Sequence, residues 1–222
     1  MPLAGKGMLL TSMDIDPSDE ADFNRWYDRE HLEERVAIEG FVEARRYVAH
    51  RASPKYLCLY STSSIDVLDS PAYRERLASP TDWSRQTMAR FKNMIRAVAR
   101  VTISHGKGRG AALGILRLRP QAGEENKLRA ELKDRLDPNA HEGIISMHLI
   151  ESDARLSGPT PEIAAAAGAA DWFVLVDGTR ASAIPPALAA LSRTSAPAPA
   201  QQISSGTYEL MWDLAKSDLP QM

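Results

Sequence analysis

Apolar and polar positions along the chain change period several times, and the order of those changes predicts a fold. Residues 8–15 (Met-Leu-Leu-Thr-Ser-Met-Asp-Ile) form a strand-like run. Asp16-Pro17 follows as a helix start, a capping carboxylate with proline at the first helical position. Asp19 and Glu20 add negative charge to the first turn, where the helix dipole favours it. The predicted helix runs to about Ala37, and Gly40 supplies its stop. Strands over Phe41–His50 and Tyr56–Ser63 flank Ala52-Ser53-Pro54, a connection short enough for a hairpin. A short helical piece, Tyr73–Leu77, lies between Pro71 and Pro80. A longer helix is predicted over Asp82–Ala97, because Met88, Phe91, Met94, Ile95 and Val98 recur at helical spacing. Val98–Ser104 then alternates as a closing strand, which completes a β-α-β-β-α-β order.

After His105–Gly110 (His-Gly-Lys-Gly-Arg-Gly), a linker by composition, the order recurs. Strands are expected over Ala111–Arg119, Gly143–Ile150, Asp171–Asp177 and Gln202–Asp213, and helices over Glu124–Leu136 and Ala181–Leu191. The opening strands of the two halves begin about one hundred residues apart, with negligible identity between them. Ala154–Ala170 and the Pro-rich Ser195–Ala200 read as surface excursions. A four-stranded antiparallel sheet carrying two helices on one face leaves its other face bare, and two such units in one chain cover those faces against each other. The expected fold is therefore α+β: two tandem ferredoxin-like units, residues 1–105 and 106–222, whose sheets pack into a pseudo-dimeric α+β barrel.

Composition narrows the function by exclusion. The chain has 222 residues, 44% hydrophobic and 25% charged, which suits a globular protein with a sizeable core. Its net charge of −2 provides no basic field for nucleic acid and gives no reason to invoke a membrane surface. The single cysteine, Cys58, cannot form an intramolecular disulfide. The first residues lack a basic region followed by an apolar stretch, and no window approaches the ~20 apolar residues of a membrane span. A cytoplasmic location is the expectation.

Candidate chemistry concentrates in the first helix, Phe23-Asn24-Arg25-Trp26-Tyr27-Asp28-Arg29-Glu30-His31-Leu32. Phe23, Tyr27 and His31 are spaced i, i+4, i+8 and share a face, flanked by Trp26 and Glu30. Rings on such a helix pack on the sheet behind it, which puts His31 at the sheet or at the edge of a cavity beside it. Two readings stay open. His31 is either a satisfied boundary histidine, or a general acid/base with Tyr27 sharing the substrate oxygen. Along Phe41–His50, Phe41, Glu43, Arg45, Tyr47 and Ala49 point one way and Val42, Ala44, Arg46, Val48 and His50 the other. Arg45 is thus either an anion-binding group or half of an ion pair with Glu30 or Glu43, and Tyr47 either a pocket wall or a core ring.

Three stretches, Trp26-Tyr27-x-x-x-His31-Leu32, Gly40-Phe41-x-x-Ala44-Arg45-Arg46-Tyr47 and Pro54-Lys55-Tyr56-Leu57-x-Leu59-Tyr60, resemble the EthD-like branch of the dimeric α+β barrels. The resemblance covers residues 8–104 and rests on element order alone in 111–213. Family members often carry proline shortly after the histidine, where this chain has Glu33. The resemblance implies the barrel fold and a histidine that lines a pocket. Its relatives include cofactor-free decarboxylases, cyclases, isomerases and quinone-forming monooxygenases, among which fold alone does not choose.

The expected function is accordingly a cofactor-free enzyme acting on a small apolar or aromatic carbonyl compound. His31 and Tyr27 would be catalytic, and Trp26, Phe23, Tyr47 and Arg45 would contact substrate; the alternative is a non-catalytic ligand-binding or scaffold protein. No cofactor and no metal are expected. The glycine string lacks phosphate-loop spacing, His50, His105, His141 and His148 show no metal-ligand spacing, and no histidine sits on a late helix as a haem ligand. A homodimer through another surface is expected beside the alternative of a monomer.

Overall fold

The computed structural model describes residues 3–160, 166–192 and 198–220. Eight strands, β1 (Gly7–Asp14), β2 (Phe41–Arg51), β3 (Tyr56–Thr62), β4 (Lys92–Gly106), β5 (Ala112–Pro120), β6 (Ile144–Ser152), β7 (Trp172–Gly178) and β8 (Ala200–Ala215), close into one antiparallel barrel. The ring order is β1-β3-β2-β8-β5-β7-β6-β4. Read from either seam, the first four strands run β4-β1-β3-β2 and the last four β8-β5-β7-β6, the same sequence of neighbours twice. The halves join where β2 pairs with β8 (Ala44 opposite Leu214) and β4 with β6 (Ser104 opposite His148).

Alternation along the strands sorts the apolar residues into three layers. Met8, Leu10, Leu57 and Leu59 point into the barrel and meet Leu113, Phe173 and Leu175 from the other half. Leu9, Met13, Tyr56 and Tyr60 point outward, under the helices of the first half. Leu116, Leu118, Val174 and Val176 do the same under the second set. Because both faces are covered, β3 is buried at all seven positions, and Tyr56–Tyr60 within it reads as an unbroken apolar run.

The helices are α1 (Glu20–Trp26), continued through a π-helical turn at Tyr27–His31 into α2 (Leu32–Ala37), then α3 (Pro71–Ala78), α4 (Asp82–Met88), α5 (Glu125–Arg135) and α6 (Ile184–Leu191). Ser70 Oγ accepts from Tyr73 N ahead of α3, and Thr81 Oγ1 from Ser84 N ahead of α4, so both starts are capped by side chains. Gly114 lets α6 lie against β5, since a Cβ there would stand 2.5 Å from Ile184 Cγ2.

Four local expectations are corrected. The first helix starts at Glu20, after Asp16–Asp19 has formed a turn. The helix predicted to Ala97 ends at Met88, and β4 starts at Lys92. Met94, Arg96 and Val98 alternate with Ile95, Ala97 and Ala99 on two buried faces, so helical and strand periods coincided in the sequence. Phe41 joins the helix-facing layer, not the face of Arg45 and Tyr47, because a bulge between Phe41 and Glu43 shifts the register. His105 and Gly106 belong to β4, and the shorter connection that follows is bonded over one end of the barrel.

The excursion after β6 is not a free surface loop either. Asp153 N bonds Val98 O, Ser157 Oγ bonds both Val98 N and Val98 O, and Ala167 bridges Ile95. This segment extends the sheet beside β4. Residues 161–165 of that stretch and 195–197 of the second excursion lie outside the described residues.

Candidate functional site

His31 owes its position to the π-helical turn. A turn of this kind brings residues five apart onto one side, and the imidazole stacks on the Trp26 indole, centroids 4.0 Å apart and planes 28° apart. Tyr27 meets the same imidazole edge-on at 5.2 Å and Phe23 meets Tyr27 at 5.1 Å. The indole is itself fixed. Trp26 Nε1 donates to Glu30 Oε1 and Ser84 Oγ, both at 3.1 Å, and the same Glu30 oxygen accepts from Thr81 Oγ1 at 2.6 Å and Ser84 Oγ at 3.1 Å. The carboxylate thereby ties the first helix to the start of α4.

A cavity of about 30 Å³ lies between this helix and the sheet. That is room for one or two waters, since one needs roughly 10–15 Å³ of this kind of volume. His31, Tyr27 and Arg35 line it from the helix, Thr11 and Met13 from β1, Tyr60 from β3, Arg96 and Met94 from β4, and Thr160 from the excursion after β6. His31 Nδ1, Thr11 Oγ1 and Tyr60 OH are buried and make no hydrogen bond of normal geometry among the described residues. Thr11 and Tyr60 have the Tyr27 phenol as a near polar neighbour; buried polar atoms in native proteins are almost always paired, so His31 Nδ1 beside them marks a place with room for a further partner.

Electrostatics keeps the site neutral where it can. Burial, and then the charges of Arg35 and Arg46, hold the His31 pKa well below the usual imidazole value, so the ring is uncharged at neutral pH. Burial likewise raises the phenols of Tyr27 and Tyr60. Cys58, on the same side of β3, is pushed up to about 12, chiefly by burial, and is no nucleophile. The arrangement offers a neutral base, two phenolic donors and a threonine hydroxyl in a methionine-rich space that Arg35, Arg96 and Thr160 also line.

The six residues singled out from the sequence separate into two places. Tyr27 and His31 line the cavity; Trp26 and Phe23 pack behind them and do not line it. The guanidinium over the Tyr27 ring, at 4.2 Å, belongs to Arg46, which bonds Asp28 and Asn24. Arg45 and Tyr47 stand on the opposite face of β2, inside the barrel. Arg45 pairs there with Asp177 at 3.0 Å and with Gly110 O, neither of them Glu30 or Glu43. Thr11, Tyr60 and Arg96 escaped the sequence reading, although Thr11 and Arg96 are polar interruptions of apolar strand runs, which is a readable signal.

The second half lacks this chemistry. Leu128 and Leu132 of α5 and Leu136 just past its end, spaced as Phe23, Tyr27 and His31 are, are buried. A cavity of about 50 Å³ there is lined by four leucines and Ala200, with Glu131, Arg135, Ser192 and Gln202 as its polar side chains and no histidine or tyrosine among the described residues. Among the described residues no group of three or more His, Cys, Asp and Glu could hold a metal ion, and no helix is long and apolar enough to cross a membrane.

No protein-family model matches the sequence, and no curated protein matches it. Solved structures do. An anthrone oxidase-like protein superposes with TM-score 0.60 at 10% identity, over 96% of this chain and 94% of its own. A protein provisionally named a monooxygenase from Lactobacillus acidophilus NCFM gives 0.58 at 9% identity, over 95% and 97%. The fold is that of the dimeric α+β barrels. At these identities the likeness shows fold alone. A heme-binding protein from Thermus thermophilus also superposes, at TM-score 0.51 and 10% identity over 96% and 93%. The His31 cavity does not fit that group: pockets for ligands of such size run to roughly 300–1,000 Å³, and this one holds about 30 Å³.

Proposed function

We propose that the first half, residues 1–105, binds a small apolar or aromatic carbonyl compound beside His31 and moves a proton on it without a cofactor. The second half, residues 106–222, would be a scaffold that closes the barrel and lends Thr160 to the site. The observation that carries this reading is the convergence on one cavity of His31 Nδ1, Thr11 Oγ1 and Tyr60 OH, buried and without a hydrogen bond of normal geometry among the described residues. A carbonyl oxygen accepts from the Tyr60 and Thr11 hydroxyls, while the neutral imidazole accepts a proton from the adjacent carbon; Tyr27 orients the oxygen. The resemblance of residues 8–104 to the EthD-like branch supports the same assignment, in a cytoplasmic protein.

Size is the obstacle the ligand must overcome. An aromatic ring needs a cavity of about 150 Å³, so binding requires Met13, Met88 and Met94 on the cavity wall to swing aside. Methionine is the side chain best suited to do so, being unbranched and polarizable. The tightness of the cavity also favours a second reading, a non-catalytic scaffold with the same fold. Exchange of deuterium into the methyl group of acetophenone, followed by NMR, separates the two. We expect wild-type protein to accelerate it about 10²–10⁴-fold over His31→Gln. Equal rates in the two proteins, both shown to be folded, would end the catalytic reading.

A further inference from the structure

Arg96 differs from Arg45, Arg46 and Arg117 in what balances its charge. Arg45, Arg46 and Arg117 each meet a carboxylate, Asp177 at 3.0 Å, Asp28 at 3.0 Å and Asp171 at 2.5 Å. Arg96 is 3% exposed, as deeply placed as they are. Its Nη1 donates only to main-chain carbonyls, Leu156 O at 2.8 Å and Gly158 O at 3.3 Å, and no carboxylate among the described residues lies within ion-pair distance. Carbonyls solvate a guanidinium but do not neutralise it, and a buried cation is tolerated best with a counter-charge.

The position of this cation gives it a use. Arg96 stands opposite Thr11 in the β1–β4 register, and both line the cavity that His31 borders. The described residues that line it with Arg96 include no Asp or Glu. Main-chain carbonyls pin Nη1, which leaves Nε and Nη2 as the planar fork that can receive a carboxylate in two parallel bonds.

We propose that the ligand of the His31 cavity is an organic acid, its carboxylate received by Arg96 and its aromatic or carbonyl-bearing end directed to His31, Tyr60 and Thr11. This rests on the ligand-binding reading above and sharpens it from a neutral carbonyl compound to an anionic one. The segment Leu156–Gly158, which comes from the second half of the chain, is then a specificity element, because its carbonyls aim the guanidinium.

Two probes of equal shape test it, 4-hydroxybenzoate and its neutral amide, 4-hydroxybenzamide, titrated into the full chain while the His31 ring resonances are followed by NMR. The acid should bind at least about tenfold tighter than the amide. Arg96→Gln should remove that preference and leave amide binding unchanged, and Arg96→Lys should keep part of it. Equal affinity for acid and amide in the wild-type protein overturns the proposal without any variant, as does an unchanged acid affinity in folded Arg96→Gln. If neither probe moves the His31 resonances, the ligand reading falls and this inference with it; if only the amide does, the ligand reading stands and this inference alone is lost.

Discussion

Acid should destabilise this protein in part through a histidine outside the candidate site. His148 on β6 is fully buried, with Nδ1 3.0 Å from Ser104 Oγ and Nε2 3.1 Å from Ser146 Oγ. Burial, then the positive charges of Arg45, His105 and Arg109, bring its pKa down to about 3. Asp177 lies 3.8 Å from Nε2 but is already engaged by Arg45. In the unfolded chain the imidazole titrates near ~6.5. Between these values the unfolded chain holds one proton more than the folded one, so stability is complete above ~6.5 and falls as pH drops toward the folded pKa. At about 1.4 kcal/mol per pH unit, moving from about pH 7.5 to about pH 5 costs about 2 kcal/mol through this residue alone. That is a large part of a typical stability of about 5–15 kcal/mol. Urea unfolding of wild-type protein and His148→Gln at both pH values isolates the effect, because groups that titrate in both proteins cancel in the difference. Equal acid losses in the two proteins would refute the reasoning.

Two further predictions concern the polar anchors. Asp177→Ala strands the Arg45 guanidinium and the Gly110 amide inside the barrel, and should cost about 3–5 kcal/mol in urea unfolding, whereas Arg45→Met with Asp177→Leu should recover most of it; a double variant no better than the single one would show that the pair is not the cause. Glu30→Ala removes the acceptor shared by Trp26, Thr81 and Ser84, and should cost about 1.5–3 kcal/mol and broaden the His31 ring signals as the indole beneath it loosens; unchanged ring signals would mean that stacking alone holds the imidazole.

What was legible in the sequence follows from where local signals agree with long-range ones. The strand order survived because each half presents β-α-β-β-α-β with turn residues at its joints. Met88–Ala97 misled because Met94, Arg96 and Val98 satisfy two periods at once when both faces of a strand are buried. Tyr27 and His31 were readable from their shared spacing, but their partners Thr11, Tyr60 and Arg96 come from three strands, and only the sheet pairing brings them together. Arg45 and Tyr47 carried the right chemistry for a site, yet alternation in β2 assigns them to the barrel interior, a distinction that depends on which face the helices cover. Nothing local announces Leu156–Gly158, whose role arises solely from its return to β4.

The ring of hydrogen-bonded strands has a consequence for how this chain can change over time. In an assembly of two identical chains, symmetry copies every substitution into both halves, and the complex dissociates on dilution. Here the opposed sheets belong to one chain, so closing the barrel is a first-order event that dilution does not reverse. Each half is also free to drift alone, which allows leucines on one helix where the other keeps an imidazole, and frees the outward-facing surfaces from any duty of holding the core shut.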